Sequence, residues 1–191
     1  FATHPSPALD AWMATPGLET GWHPNLLPGS TQGKDAAQVA AYLQAAAPDA
    51  GSMRTHDLFQ STSILRGFLA HATSIRRDAS LYVPGQTSLA GFDLAFGDGT
   101  SLRRYPFAWE DDLHLAAGGD LKGPIWGLPS DGVAILNFHP IHVWLNSPDM
   151  GAYGLVRSMG QMARIGEAQA APHRHAGDGI DHVLVTFLFR Q

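Results

Sequence analysis

The chain has 191 residues, of which 45% are hydrophobic and 15% charged, and this predicts a soluble globular protein with a single domain over residues 1–191. The formal net charge is −5 and the lysines and arginines are dispersed, which excludes the basic stripe typical of nucleic-acid binding. Cysteine is absent, so disulfides, thiolate zinc sites and a cysteine nucleophile are excluded as well.

The sequence contains neither a membrane span nor a recognisable targeting segment. The longest apolar run, at 133–145, is shorter than the roughly 18 residues that a bilayer requires, and it includes an asparagine and two histidines. No basic region followed by an apolar segment stands at the start. We therefore expect a cytoplasmic protein without a membrane span. We interpret Phe1-Ala2-Thr3 as the end of a β-strand in a chain that lacks its natural start.

In chain order, the first half alternates short β-like runs with helical patterns. Strands are predicted at Phe1–His4, Glu19–His23, Ser52–Arg54 and Ala79–Val83. Helices are predicted at Pro7–Ala14, Asp35–Ala47 and Ser61–Thr73. The two later helices have apolar residues at spacings of three and four, and Asp35 is the predicted cap of the first of them. We interpret both apolar faces as core packing.

The second half contains the clearest strand of the chain. Residues 86–104 are rich in Gly and Asp and predict a loop or hairpin with a turn at 97–99. Gly132–Phe138 is a strongly apolar run that predicts a strand with His139 at its end, and helices are predicted at Tyr153–Arg164 and Ile180–Arg190. This repeated strand and helix order predicts an α/β barrel whose site lies at the carboxyl ends of its strands.

Histidines cluster directly after these predicted strands. They stand in the segments His23-Pro24-Asn25, Arg54-Thr55-His56 and Phe138-His139-Pro140-Ile141-His142. Trp109-Glu110-Asp111-Asp112 adds adjacent carboxylates. Neutral imidazole is the commonest transition-metal ligand, and its ordinary pKa lies near neutrality. The clusters therefore predict a metal-assisted hydrolytic site assembled from several strand ends.

These segments resemble, in order, the motifs of the polysaccharide deacetylases, which have the NodB homology fold. The run 19–23, Glu-Thr-Gly-Trp-His, resembles the second motif, and Arg54-Thr55-His56 lies where the family carries its third. The segment 109–112 resembles the fourth motif, and 136–139, Leu-Asn-Phe-His, matches the fifth. The resemblance is closest to a branch associated with lipopolysaccharide and capsule biosynthesis.

The resemblance implies an α/β fold, a distorted (β/α) barrel of the polysaccharide deacetylase type that is incomplete at its N-terminus. It also implies removal of an N-acetyl or related acyl group from a glycan or glycan precursor, with a divalent cation, usually zinc, activating water. The family's first motif, an Asp-Asp pair with the catalytic base and a metal ligand, would lie upstream of Phe1. Leu27 occupies the place of a second motif-two histidine.

Two other functions stay open at this point. One is a catalytically inactive carbohydrate-binding domain on the same fold, and the other is a metal-dependent hydrolase of an amide or ester that is not a sugar derivative. The oligomeric state, the metal and the sugar are not fixed by the sequence.

His23 and His56 are the candidate metal ligands. Asn25 is predicted to fix the tautomer of His23 or to bind substrate. For His56 the alternative is a hydrogen bond to Asp57 or Ser61 at the start of a helix. Arg54 is predicted to orient a carboxylate through a bidentate pair in a catalytic role, with a surface salt bridge as its alternative.

The carboxylates Glu110 and Asp111 are candidate catalytic residues, and Asp112 is a candidate for substrate binding. If adjacent carboxylates are desolvated together, the pKa of at least one should rise, which suits a base, whereas a solvated turn is the alternative. Trp109 is predicted either to stack on a sugar or to lie in the core.

His139 is the candidate general acid, which would donate a proton to the leaving amine and therefore needs a pKa near neutrality. His142 is predicted to tune His139 or to bind substrate. The alternative is that both histidines only cap a buried strand.

Overall fold

The structure, a computed structural model, describes residues 1–5, 7, 11, 15–84, 86, 89–121 and 135–189. Two compact units divide the chain. The first comprises Phe1–Phe107 and Pro129–Ile135, and the second comprises Ala108–Leu128 and Leu136–Gln191. Each unit mixes helices and strands, so the predicted α/β class is confirmed. The expectation of a single domain over residues 1–191 stays a prediction.

The first unit contains a sheet flanked by helices. Its elements are α1 (Ala36–Ala46), β1 (Ser52–Met53), a 3-10 turn (His56–Leu58), α2 (Thr62–Leu69), β2 (Arg77–Asp78), β3 (Phe92–Ala95) and β4 (Ser101–Arg104). The strand order is β1-β2-β4-β3, in which β3 alone runs antiparallel to its neighbour. Isolated parallel bridges join Ala2 to Trp22 and Trp22 to Met53. The ends of several parallel segments therefore meet at one edge, where polar side chains can converge.

Side-chain caps fix the starts of both helices. The Asp35 carboxylate accepts a hydrogen bond from the Gln38 amide at 2.9 Å, and the Ser61 hydroxyl accepts one from the Ile64 amide at 3.2 Å. Each cap satisfies a backbone N–H that has no partner within the helix, so the predicted cap at Asp35 is confirmed. The second helix ends at Leu69, earlier than the predicted Thr73.

The core of the first unit lies between the helices and the sheet. Trp22 and Phe68 are fully buried, and their rings meet edge-to-face with centroids 6.2 Å apart. The indole N–H of Trp22 donates to the Ala47 carbonyl at 2.8 Å, so its one polar atom is satisfied. Leu43 and Leu65 bring the apolar faces of α1 and α2 into the same cluster. The predicted core-packing role of both helices is confirmed.

The second unit is mostly helical. Its elements are β5 (Trp109–Glu110), α3 (Asp111–Ala116), β6 (Leu136–Asn137), α4 (Pro140–Leu145), α5 (Gly151–Ser158), a 3-10 turn (Met162–Arg164), α6 (Glu167–Ala170), a further 3-10 turn (Ala171–His173) and α7 (Ile180–Phe189). Strands β5 and β6 pair in parallel, with Glu110 opposite Asn137. Because α3 follows β5 directly and α4 begins three residues after β6, the pairing brings the starts of both helices together.

Several sequence predictions need correction in the second unit. Helices α3 and α4 were not predicted, although Pro140 at the first helical position is a recognised start signal. The helix predicted over 153–164 is interrupted, since Gly160 adopts a φ of 142° between α5 and the following 3-10 turn. The strand predicted at Gly132–Phe138 is observed as β6, and residues 132–134 lie outside the described residues. The helix predicted at Pro7–Ala14 falls mostly on residues that are also outside them.

The first unit agrees more closely with the sequence. The hairpin predicted within 86–104 is observed as β3 and β4, with Gly97 and Gly99 in left-handed conformations in the turn. The strand predicted at Ala79–Val83 is shifted, because regular pairing occurs at β2 and only Tyr82 of that run forms a bridge. The described residues form no closed barrel, so the distorted barrel is not confirmed. Within them, no helix has the length and apolar character needed to traverse a bilayer.

Candidate active site

The two predicted metal ligands, His23 and His56, lie together in the first unit. His23 follows Trp22, and the amide of Arg54 donates to the Trp22 carbonyl at 2.9 Å. The amide of His56 donates to the Pro24 carbonyl at 2.9 Å, so the two chain segments run side by side beyond the sheet. His23 Nε2 and His56 Nδ1 are 3.2 Å apart, and the rings meet edge-to-face with centroids 5.3 Å apart.

This separation fits two ligands of one metal ion. Zinc binds imidazole nitrogen at roughly 2.0 to 2.1 Å, so two nitrogens at a tetrahedral ion lie about 3.3 Å apart. The observed distance between Nε2 and Nδ1 is 3.2 Å. The donor set is imidazole nitrogen, which suits zinc and other late transition metals. The two rings therefore fit as two of the ligands that a divalent cation would need.

The electrostatic surroundings keep His23 neutral. Burial, and next the positive charge of the Arg54 guanidinium, lower the pKa of His23 to about 3, with a smaller effect from His56. A protonated imidazole cannot bind a metal, because its ring nitrogens both carry hydrogen. His23 is therefore available as a ligand throughout the physiological pH range.

Arg54 is buried, with only 8% of its surface exposed. Its guanidinium carbon lies 5.3 Å from the centroid of the Phe107 ring, a distance at which a cation is attracted to the aromatic face. This buried position argues against the surface salt bridge that the sequence left open. The predicted role of Arg54 in orienting a carboxylate stays a prediction.

Asn25 stabilises the turn that follows His23. Its side-chain oxygen accepts a hydrogen bond from the Leu27 amide at 3.1 Å, and its backbone amide donates to the Gln32 side chain at 2.7 Å. The residue also lines a cavity of about 220 Å³, whose walls include Lys34 and Ser63. The structure thus gives Asn25 a position from which substrate contact is feasible, and its binding role stays a prediction.

In the second unit, Asp111 and His139 form a tight pair. Asp111 is fully buried, and its Oδ1 lies 2.6 Å from His139 Nδ1 while its Oδ2 accepts the backbone N–H of His139 at 2.7 Å. Asp111 Oδ1 is an acceptor in this contact when Nδ1 of His139 carries a hydrogen, and we assign that tautomer to His139. The other ring nitrogen, Nε2, is left as the one that can exchange a proton with a substrate.

The carboxylates around His139 favour its protonated form. Burial lowers the pKa of the His139 imidazole, but the hydrogen bond to Asp111 and the negative charges of Asp111, Asp112 and Glu110 outweigh burial, so the pKa is raised above its ordinary value. The imidazolium of His139 is therefore favoured more than that of an isolated histidine. A protonated, oriented imidazole whose Nε2 carries a transferable proton is the arrangement that a general acid requires.

Glu110 and Asp112 flank this pair. Glu110 is 6% exposed, and its Oε1 lies 3.8 Å from His139 Nε2, whereas Oδ1 of Asp112 lies 4.0 Å from Nδ1. Glu110, Asp112 and His139 offer ligand atoms within 4.8 Å of one another, so they form a second candidate cation site. The two uses of His139 exclude each other, because Nε2 cannot both bind a cation and carry a proton.

His142 lies behind His139 and is 1% exposed. Its Nδ1 is 3.2 Å from the Ser147 hydroxyl, and its ring packs against those of Tyr153 and His139, with centroids 4.9 and 6.1 Å away. Burial lowers the pKa of His142 despite the opposing charge of Asp111, and protonated His139 lowers it further. Tuning of His139 fits this position better than contact with substrate, and both stay predictions. The sequence carried no signal for Ser147 or Tyr153.

Trp109 belongs to the core of the second unit. It is 6% exposed, and its ring packs against those of Phe138 and His114, with centroids 5.0 and 5.7 Å away. Leu115 and Ile180 complete the cluster around it. Of the two roles left open for Trp109, this geometry favours core packing, and stacking on a sugar stays a prediction.

Comparison with known proteins identifies the family. A family model for the WbmS-like polysaccharide deacetylases matches residues 1–157. The structure is similar to the crystal structure of WbmS from Bordetella bronchiseptica, a candidate polysaccharide deacetylase involved in O-antigen biosynthesis. The TM-score is 0.82 at 28% sequence identity, over 100% of this chain and 77% of that one. No curated protein gives a significant match. The chain therefore belongs to the WbmS-like polysaccharide deacetylase family, and it is an enzyme of the hydrolase class.

Proposed function

We propose that this enzyme removes an N-acetyl or related acyl group from a glycan or glycan precursor used in lipopolysaccharide O-antigen biosynthesis. Membership of the deacetylase family and the similarity to WbmS support glycan deacetylation. The observation that carries the proposal is the Asp111–His139 pair, with its 2.6 Å contact and its raised imidazole pKa.

Amide hydrolysis needs a proton for the leaving amine, because an unprotonated amine is a poor leaving group. His139 supplies that proton from Nε2 and is the catalytic general acid. Asp111 acts through His139, since both of its oxygens bind that residue, and it fixes the tautomer in which Nδ1 faces the carboxylate. Glu110, with its oxygen 3.8 Å from Nε2, is the carboxylate that assists proton exchange at this position.

His23 and His56 would hold the divalent cation, for which we propose zinc. A cation bound there would polarise the acyl carbonyl and activate a water molecule. The lowered pKa of His23 supports this role, since its imidazole stays neutral. Arg54 lies close to His23, and we assign it the role of orienting a carboxylate there.

Substrate contacts are assigned to polar groups near the two clusters. Asn25 lines the 220 Å³ cavity and contributes a side-chain amide. Asp112 is partly exposed beside His139 and accepts hydrogen bonds from sugar hydroxyls. His142 and Trp109, both buried, shape the surroundings of His139 from behind.

The test combines elemental analysis with an acetate-release assay. Wild-type protein, the His23→Ala, His56→Ala double variant and the Glu110→Gln, Asp112→Asn double variant are purified and their zinc content is measured. We expect near-stoichiometric zinc that is lost only in the histidine variant. Loss only in the carboxylate variant would assign the cation to the other cluster and overturn the proposed ligands.

The same protein preparations are used to identify the substrate class and the reaction. Acetate release is compared between N-acetylated sugars and simple amides or esters of similar size. We expect release from the sugars and a strong preference for them. Turnover of simple amides alone would indicate a hydrolase of another substrate class, and binding of acetylated sugars without release would indicate a carbohydrate-binding protein.

A further inference from the structure

The side chain of Gln32 binds three backbone groups next to and including His23. It is 7% exposed, and its side-chain amide donates to the Thr3 carbonyl at 2.8 Å and to the His23 carbonyl at 3.1 Å. Its oxygen accepts the Asn25 amide at 2.7 Å. One buried side chain thus fixes the backbone on both sides of Pro24, directly after His23.

Ser80 makes a similar hydrogen bond to the backbone next to His56. Its hydroxyl accepts the Thr55 backbone N–H at 2.9 Å and donates to Oδ1 of Asp78 in a short hydrogen bond. Ser80 and Thr55 are fully buried and Asp78 is 1% exposed. The hydrogen bond therefore acts on the residue immediately before His56 and is shielded from water.

Two further side chains hold Ser80 and Asp78 in place. Arg104 donates from Nε to Asp78 Oδ2 at 2.8 Å and also hydrogen bonds to the Gln60 side-chain oxygen. The Gln60 amide in turn donates to the Ser80 carbonyl at 2.6 Å. The four residues close a ring of hydrogen bonds, in which the last hydrogen bond ends on the Ser80 backbone carbonyl. The Asp78 carboxylate accepts hydrogen bonds from both Arg104 and Ser80, and it thereby orients the Ser80 hydroxyl.

The backbone after His56 is held in a strained conformation. Asp57 and Leu58 both have positive φ, 55° and 50°, a region that non-glycine residues rarely occupy. Such conformations persist only where the surrounding contacts over-determine them, and they concentrate at functional sites. The hydrogen bond from Thr55 to Ser80 and the one from His56 to Pro24 are contacts of this kind.

We propose that Gln32 and the Ser80–Asp78 pair are positioning residues that set the separation of the His23 and His56 rings so that one divalent cation can bind both. The inference rests on the proposed function for the identity of the ligand. Gln32 fixes the backbone at His23 and Asn25, and Ser80 fixes the backbone before His56, so removing either contact lets one ring move relative to the other.

Part of the role of these hydrogen bonds is structural, because buried backbone N–H and C=O groups need partners. In addition, Gln32 contacts backbone groups of His23 and Asn25, and Ser80 contacts the backbone N–H immediately before His56. The contacts thus act on the position of the rings and not only on the stability of the fold.

The test uses Gln32→Met and Ser80→Ala, which remove the hydrogen bonds with little change in shape. Ser80→Thr keeps the hydroxyl and serves as the rescue variant. Ile75→Val, a substitution of a residue 1% exposed in the same core, is the control for general loss of stability. Zinc affinity is measured by competition with a chromophoric chelator, together with the melting temperature of each metal-free protein.

We expect Gln32→Met and Ser80→Ala each to weaken zinc binding 10- to 100-fold, the usual effect of removing a residue that orients a metal ligand. Ser80→Thr should bind zinc more tightly than Ser80→Ala, and Ile75→Val should match wild type even where its melting temperature falls equally. Zinc affinities in both positioning variants equal to that of Ile75→Val would overturn the inference. If one variant does not fold, the other decides.

A second readout does not depend on zinc. Long-range ¹H–¹⁵N spectra of the metal-free protein report the hydrogen bond between His23 Nε2 and His56 Nδ1. We expect this signature in wild type and Ile75→Val and its loss in Gln32→Met and Ser80→Ala. If wild type shows the signature but binds no zinc, the proposed metal site fails, and the spectra of the variants still decide whether Gln32 and Ser80 set the ring separation.

Discussion

His23 in the first unit and His139 in the second are the same side chain in opposite electrostatic surroundings. His23 is half-buried beside the Arg54 guanidinium, and its pKa is lowered to about 3. His139 is also partly buried, but it lies among three carboxylates that together raise its pKa. Burial acts in the same direction on both, so the sign of the neighbouring charge decides the outcome.

Because of this difference, His23 is suited to bind a metal ion, whereas His139 is suited to donate a proton. A neutral imidazole offers a lone pair to a cation, whereas an imidazolium has a proton to give. Titratable groups whose surroundings drive their pKa values apart are a general sign of divided catalytic roles. We therefore expect substitution of His23 to reduce zinc content and substitution of His139 to reduce kcat without loss of zinc.

The largest effect is expected from His139→Gln. Removing the general acid should lower kcat by about 100- to 10,000-fold, the usual contribution of a positioned proton donor. Zinc content should be unchanged, because the cation is assigned to His23 and His56. Acetate release and elemental analysis on the same preparation measure both quantities.

The control for this variant is His71→Gln, since His71 is exposed and lies outside both clusters. It should match wild type in rate and zinc content. Loss of zinc in His139→Gln would break the comparison, because it would place the cation among Glu110, Asp112 and His139.

Asp111→Asn should have the next largest effect. Asparagine keeps the shape of the side chain but removes the negative charge that holds the proton on His139, so the pKa of His139 should fall. The alkaline limb of the kcat–pH profile, where the acid loses its proton, should move to lower pH. We expect kcat near neutral pH to fall about 10- to 100-fold.

The pH dependence of stability independently checks that the pKa of His139 is raised in the folded protein. Because the pKa of His139 is raised on folding, its contribution to stability is fully present below the pKa of the unfolded chain. That contribution is lost as the pH rises through the raised value in the folded state. The difference in melting temperature between wild type and Asp111→Asn should shrink over that range. A difference independent of pH would contradict the pairing.

Some of this arrangement could be predicted from the sequence. The cap at Asp35, the hairpin around 97–99 and the segments that carry His23 and His139 depend on residues close together in the chain, where short-range patterns are informative. The resemblance to the deacetylases depended on the same short motifs, and the family match over residues 1–157 confirms it.

Other features depend on contacts that no local pattern contains. Asp111 and His139 are 28 residues apart, and nothing in Glu110-Asp111-Asp112 distinguishes the carboxylate that pairs with the histidine. Gln32 lies in a loop whose composition predicts only turns, yet it is buried against His23. Strand length also depends on long-range pairing, since only Tyr82 of the run 79–83 forms a bridge, to Phe107.

Arg54→Met should affect His23 and not His139, and its effect should be smaller than those of the His139 and Asp111 substitutions. Removing the guanidinium charge should raise the pKa of His23 above about 3, but only part of the way to its ordinary value, since burial is the larger cause. Histidine NMR titration measures the change. The His139 pKa should not respond, and this serves as the internal control. An unchanged His23 pKa would mean that burial alone keeps this ring neutral.

Ser147→Ala should have the smallest effect on catalysis. It leaves Nδ1 of the buried His142 without the hydroxyl 3.2 Å away, and an unsatisfied buried polar atom costs about 1 to 3 kcal/mol of the free energy of unfolding. Because His142 lies behind His139 and does not hold its Nδ1 proton, kcat should fall much less than in Asp111→Asn. Denaturant unfolding and acetate release measure the two quantities, with Ser158→Ala as the control for loss of an exposed hydroxyl. A fall in kcat equal to that of Asp111→Asn would show that His139 depends on His142 as strongly as on Asp111. The negative charges around His139 would then not be sufficient to explain its role as general acid.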